Sequence, residues 1–213
     1  MKALLLAMAT ILMANDLSYI APAPWDKDQL QWAKRFDIVE AGSFEDIDRA
    51  KTSYPHTYTY QWLVGFYAKH PSAFDRWILK EHLTLNEEPI NGIYFYDLCS
   101  ERVIAERTRY LASECKKRKI EGIFFDWAND LFLEDFPSIQ KTLRGKKYRA
   151  CIHRFFKRLR QAGLHIVTNQ AFRNPGLLDT VDMDMSESYI STDTSKPSPV
   201  TIDAKIYSET PCT

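Results

Sequence analysis

Residues 122–126 (GIFFD), 148–162 (YRACIHRFFKRLRQA) and 164–169 (LHIVTN) read in succession as a short apolar strand, an amphipathic helix and a second strand. Gly163 stands between the helix and the second strand, where a helix stop is needed. A small helix around 137–143 lies in the first connection. Two apolar strands joined through a helix point to parallel neighbours, because parallel pairing needs a long crossover that a helix supplies.

The same alternation continues outward from this unit. Upstream, 17–21 (LSYIA), 37–41 (DIVEA), 57–64 (TYTYQWLV) and 92–98 (GIYFYDL) have strand character. Helical stretches at 26–36, from Ser43 (SFEDIDRAK), 71–83 and 100–117 separate or follow them. Ser43 with Asp46 three residues on predicts a capping box in which Asp takes the usual place of Glu. Downstream, 182–188 (DMDMSES) reads as a strand and 201–207 (TIDAKIY) as one more. Seven or eight such strands predict an α/β fold, a (β/α)8 TIM-type barrel formed by a single domain over 15–213. No glycine-rich loop follows the first strand, so a dinucleotide-binding unit is not supported. A full barrel takes about 250 residues, and 208–213 (SETPCT) shows no final helix, so a barrel incomplete at its C-terminus is the companion expectation.

The chain has 213 residues, with 28 basic against 28 acidic side chains and a pI near 7.0. That balance carries no signature for nucleic acid. Glycine is scarce at 7 residues, whereas 11 Tyr, 12 Phe and 5 Trp make an aromatic excess that serves either as core or as flat stacking surface. Residues 1–14 have a basic start and a dozen apolar residues, too short to span a bilayer and suited to a secretory signal. The expected product is a secreted or periplasmic monomer without a stable membrane anchor. Cys99, Cys115, Cys151 and Cys212 are widely spaced, with no metal or redox motif. They allow three pairings in an oxidising compartment, and Cys115 and Cys151, lying in helical patterns, read as buried thiols.

In a barrel the chemistry sits where strands end. Those positions are Glu40, Trp62, Asp97, Asp126, Asn169 and Glu187. Acids are disfavoured in strands, so four at strand ends require a reason. Helix capping is one, and it suits Asp97, ahead of Ser100, and Asp130. It suits Asp126 and Glu187 less well, because no helix begins at once after either. Two carboxylates facing one cleft are what glycoside hydrolysis needs: one protonates the leaving oxygen, the other attacks the anomeric carbon or activates water. Trp25, Trp62, Tyr94, Tyr96, Trp127 and Tyr189 lie near the proposed ends and are candidates for a sugar platform; Trp127 and Tyr189 adjoin the proposed acids.

The ordered strings GIFFDWAND, CIHRFFKRLRQAGL, HIVTNQ and DMDMSESY, with YFYDLCSERVIAERTRYLASECKKRKIEG upstream, resemble the barrel glycoside hydrolases of the endo-α-1,4-polygalactosaminidase-like group. The resemblance spans residues 17–191. It implies that Asp126 and Glu187 are the acidic pair and that Asn169 helps hold the sugar. It also places Asp130 on a second acid after the strand, and Asp97 on the acid before the long helix. The sequence departs from the group at 57–64, which lacks a glycine at its end, and at Trp127, where a smaller polar residue is usual. The implied substrate is a polysaccharide, with an α-1,4-linked galactosamine polymer as the specific case; an amino-sugar polymer would favour an acidic cleft. The rival reading is a carbohydrate-binding barrel without catalysis. A zinc hydrolase would need paired histidines, and His56, His70, His82, His153 and His165 are scattered. A serine hydrolase would need G-x-S-x-G, which is absent. Neither cofactor nor metal is implied.

Overall fold

The computed structural model describes residues 17–19, 38–50, 57–128, 136–143, 148–169, 171 and 175–185. Along the chain these form β1 (Leu17–Tyr19), β2 (Ile38–Glu40), α1 (Phe44–Ala50), β3 (Thr57–Trp62), β4 (Gly65–Tyr67), α2 (Ala73–Lys80), β5 (Ile93–Phe95) and α3 (Glu101–Arg118). They continue with β6 (Gly122–Asp126), α4 (Pro137–Leu143), α5 (Tyr148–Gln161), β7 (His165–Asn169), α6 (Pro175–Leu178) and β8 (Met183–Met185). The expected signal, the helix at 26–36 and the strand at 201–207 lie outside the described residues.

Six strands make one sheet in the order β1-β2-β3-β6-β7-β8, every neighbour parallel. The order in space is the order in the chain, without the reversal that defines a doubly wound sheet. This is the winding of a (β/α) barrel: each strand lies beside its predecessor and all C-terminal ends share one edge.

One sequence expectation is corrected. Residues 92–98 do not add a strand to this sheet, because β5 pairs antiparallel with β4, Gly65 opposite Phe95. The whole of β3 from Tyr58 to Trp62 is already paired with β6, so no edge remains between them. The close approach within the hairpin depends on Gly65, since a Cβ there would lie 2.5 Å from the Tyr94 carbonyl oxygen. The hairpin therefore emerges from the end of β3, on the edge where barrel chemistry is found.

Side chains alternate across the sheet as strand geometry requires. On the helix face, Ile123, Phe125 and Ile166 join a core with Leu111, Phe155, Phe156 and Leu159 of α3 and α5; the Phe125 ring lies 5.4 Å from Phe156 and 5.9 Å from Phe155. On the opposite, inner face, Tyr58, Phe124 and Val167 pack together with Tyr60 and Met183. Gly122 makes room for that layer: a Cβ would fall 2.3 Å from Cε1 of Tyr58, so the tyrosine ring fills the space a larger residue would need. The capping box expected at α1 is present, with the Ser43 N–H donating to Asp46 Oδ2 at 2.9 Å and the Asp46 N–H to Ser43 Oγ at 3.2 Å.

Cys151 is not the free thiol expected from its helical setting. It pairs with Cys99, Cα to Cα 5.0 Å. The Asp97 carboxylate accepts the Cys99 N–H at 3.0 Å, and the resulting turn brings Cys99 onto α5. Cys115 is free and buried, and burial pushes its thiol up to about 12; Cys212 lies outside the described residues. The bridge closes a span of 52 residues, for which chain entropy sets an upper contribution of about 4 kcal/mol. Cys99→Ser should therefore lower the urea-unfolding free energy by about 2–4 kcal/mol, and reduction of the wild type should reproduce the loss. Equal midpoints for oxidised and reduced wild type would show that the bridge contributes nothing.

Candidate active site

Asp126 ends β6 and stands in register with Trp62, which ends β3. Asn169 ends β7 on the other side. Three donors converge on the Asp126 carboxylate: the Tyr60 hydroxyl on Oδ2 at 2.5 Å, and the Asn169 side-chain amide at 2.9 Å and the Trp127 N–H at 2.8 Å on Oδ1. The direction of the first is fixed by chemistry. The Trp62 indole N–H donates to the Tyr60 oxygen at 2.8 Å, and an indole can only donate. The Tyr60 proton is thus left to point at Asp126. Burial, with Asp126 adding to it, raises the Tyr60 pKa far above that of an ordinary phenol, so this hydroxyl remains a donor at any working pH. Both Asp126 oxygens are engaged as acceptors, the hydrogen bonding of a carboxylate.

Asn169 is 5% exposed and Glu40 2%. Glu40 ends β2, opposite Tyr58 in register, and its charge contributes to the upward shift of Tyr60. Glu40 is therefore a buried acid under the site, on the far side of Tyr60 from the β7 end.

Trp127 leaves the strand with φ +56°, a left-handed conformation that costs a non-glycine residue about 1 kcal/mol or more. That turn aims its N–H at Asp126 and lays its indole on Trp62, centroids 4.8 Å apart and planes within 15°. Trp62 also meets Tyr67 of the hairpin at 4.3 Å. Trp62, one of the platform candidates, thus belongs to a cluster of three rings and is itself half-buried. Of the other platform candidates, Tyr96 is buried, and Trp25 and Tyr189 lie outside the described residues.

Behind the β3 end stands Arg107 of α3, 2% exposed. Its guanidinium donates to two consecutive carbonyls, those of Trp62 at 2.5 Å and of Leu63. It lies 4.0 Å from the Tyr96 ring centroid and 5.1 Å from that of Phe155. The Tyr96 hydroxyl donates to the buried Asp75 at 2.5 Å, and the Leu63 N–H donates to the Asp126 carbonyl at 3.0 Å. Helix α3 thereby holds the peptide that links the two strand ends.

Asp97 follows the hairpin strand β5, not a strand of the parallel sheet, and its carboxylate shapes the turn into α3. Asp182 and Asp184, quoted within DMDMSES, both serve β7: Asp182 accepts the Ile166 N–H at 2.7 Å, and Asp184 accepts the Thr168 hydroxyl at 2.7 Å and the Ala171 N–H at 2.8 Å. Glu187, Asp130 and Tyr189 lie outside the described residues. Tyr60, Tyr67 and Arg107 are the contributors missed from sequence. Among the described residues no cluster of three or more His, Cys, Asp or Glu could hold a metal ion, and no helix is long and apolar enough to cross a membrane.

No family model and no curated protein matches the sequence. Solved structures do match its shape. The chain resembles Ega3 of Aspergillus fumigatus, solved in complex with galactosamine, with a TM-score of 0.51 at 10% identity over 81% of this chain and 65% of that one. It also resembles the glycoside hydrolase domain of PelA from Pseudomonas aeruginosa, with a TM-score of 0.49 at 18% identity over 79% of this chain and 64% of that one. The chain thus spans just under two thirds of each. At such identities the likeness to Ega3 concerns the fold, an α/β architecture of TIM-barrel type, and it agrees with the singly wound order of the six strands.

Proposed function

We propose that this chain hydrolyses a glycosidic bond in a polysaccharide, with Asp126 and Glu187 as the carboxylate pair. The observation that carries the reading is the convergence of three donors on Asp126 at the C-terminal edge of a parallel sheet. A carboxylate so held is suited to the charged member of the pair, the group that supplies electrons to the anomeric carbon or takes a proton from water. Glu187 then supplies the proton to the leaving oxygen. It follows Met183, whose side chain packs on the inner face, by four residues in the sequence. Asn169 is a partner of Asp126 and, by the resemblance, a residue that helps hold the sugar. The Trp62–Trp127 pair supplies flat apolar surface beside the acid.

The fuller reading is a (β/α)8 barrel, exported after removal of residues 1–14, acting on an amino-sugar polymer such as α-1,4-linked galactosamine. It is supported by the sequence resemblance and by the fold shared with Ega3, whose structure holds galactosamine. The test is reducing-end release from a panel of polysaccharides that includes this polymer. Wild type should cleave at least one, and Glu187→Gln should lose about a hundredfold or more of that activity with its fold retained. Activity unchanged in Glu187→Gln would remove that residue from the pair. Binding without release by wild type would identify a carbohydrate-binding barrel instead.

A further inference from the structure

We infer that Tyr67 is a carbohydrate-contacting residue that carries the site beyond the reacting sugar, stacking on the C–H face of a second pyranose ring of the same chain. The inference rests on the glycosidase reading above and adds to it a residue, a direction and a preference for long substrates.

Tyr67 is 51% exposed, the one large apolar side chain so exposed among the described residues. A single exposed aromatic is ordinary on a protein surface. Tyr67 differs in having a paired backbone and a ring in contact with the candidate site. Its backbone is paired with Ile93 in the β4–β5 ladder, and its carbonyl accepts the His70 N–H at 3.3 Å. The next residue, Ala68, donates its N–H to Gly92 at 2.9 Å. The Tyr67 ring lies 4.3 Å from Trp62, Trp62 donates to Tyr60 at 2.8 Å, and Tyr60 donates to Asp126 at 2.5 Å. A series of contacts thus runs from a half-exposed ring to the carboxylate. Because the ring is already held, a ligand stacking on it avoids the ~0.5–1.5 kcal/mol of ordering that a free side chain would cost.

The chemistry of the patch selects the ligand. A protein partner would need about 800 Å² on this side, and no second large apolar side chain among the described residues is exposed to supply it. One aromatic ring with Lys69 and His70 as its neighbours in sequence matches a hexopyranose, which has one apolar face and a polar rim. The hairpin that carries Tyr67 branches from the end of β3 and not from the barrel interior, so the contacted ring lies outward from the one at Asp126. Tyr67 therefore acts on substrate length, not on the chemical step.

The experiment compares wild type, Tyr67→Ala and Tyr67→Trp on the cleaved polymer and on the shortest oligosaccharide that wild type cleaves. Tyr67→Ala should raise the polymer KM about three- to tenfold more than it raises the KM of the short substrate. Tyr67→Trp should restore the polymer KM, which excludes misfolding as the cause. An unchanged polymer KM in Tyr67→Ala, with wild type active, overturns the Tyr67 contact and leaves the glycosidase reading standing. An equal fall in kcat on both substrates also overturns it, since Tyr67 would then act only by positioning Trp62. Wild type that neither cleaves nor binds any polysaccharide overturns both readings.

Discussion

Asp126→Asn should fold and lose glycosidic-bond hydrolysis by about a thousandfold or more, within the range ascribed to removing a positioned acid, base or nucleophile. The substitution preserves shape and removes charge, but it also inverts a hydrogen bond. The carboxylate now receives the Tyr60 hydroxyl, the Asn169 amide and the Trp127 N–H, whereas a side-chain amide offers one accepting oxygen and one NH2. If the NH2 faces Tyr60, it meets a hydroxyl already committed by the Trp62 indole to donating its proton. If it faces Asn169 and Trp127, it meets two N–H groups. Either orientation opposes donors, and one poorly satisfied group in this part-buried setting costs about 1 kcal/mol. The variant should therefore show a modest loss of thermal stability beside the large loss of rate. Tyr60→Phe separates the two effects: it removes a donor to Asp126 but no charge, so it should reduce the rate by roughly tenfold or less, the worth of about one hydrogen bond. Reducing-end release with thermal unfolding checks both variants. Hydrolysis by Asp126→Asn within tenfold of wild type would remove Asp126 from the chemistry.

The strand ends were legible because two simple signals coincided there. GIFFD is apolar up to its last residue and LHIVTN turns polar over its last two, and in a parallel sheet the last residues of neighbouring strands share an edge. Asp126 and Asn169 end neighbouring strands and share a side-chain hydrogen bond. The hairpin was not legible. GIYFYDL has the apolar content of a barrel strand, and such a pattern reports that a segment is extended and half-buried without naming its partner. The fact that decided its pairing, full occupation of β3 by β6, is tertiary. Tyr60 was hidden in the middle of TYTYQW, where a tyrosine reads as core; only its proximity to Asp126 gives the hydroxyl a role. The Cys99–Cys151 pair was hidden for a related reason, since a residue in a turn and one on a distant helix share no sequence period.

Arg107 was the least legible of all, and its removal should be the most damaging to stability. It lies in a helix that also carries Arg102, Arg109, Lys116, Lys117 and Arg118, so its charge reads as part of a solvated face. In the folded chain it is buried against Tyr96, Phe155 and Phe125, and desolvation pulls its pKa down while the nearby Tyr96 and Asp75 oppose that shift. Arg107→Ala should lower the unfolding free energy by about 3–5 kcal/mol, the range for removing one member of a buried charged network. Two carbonyls would lose their donor, a cavity would open among the rings, and Asp75 would stay buried without the nearby cation. Arg107→Lys tests position apart from charge. An ammonium keeps the charge but cannot bridge both the Trp62 and Leu63 carbonyls in one plane while lying flat on Tyr96. Its expected signature is a smaller stability loss, a change in tryptophan fluorescence from the disturbed Trp62–Trp127 stack, and a fall in kcat larger than the rise in KM. Stability and fluorescence equal to wild type in Arg107→Lys would show that any buried cation suffices. The bidentate hold on the β3 end would then have no part in placing Trp62, and through it Tyr60, against Asp126.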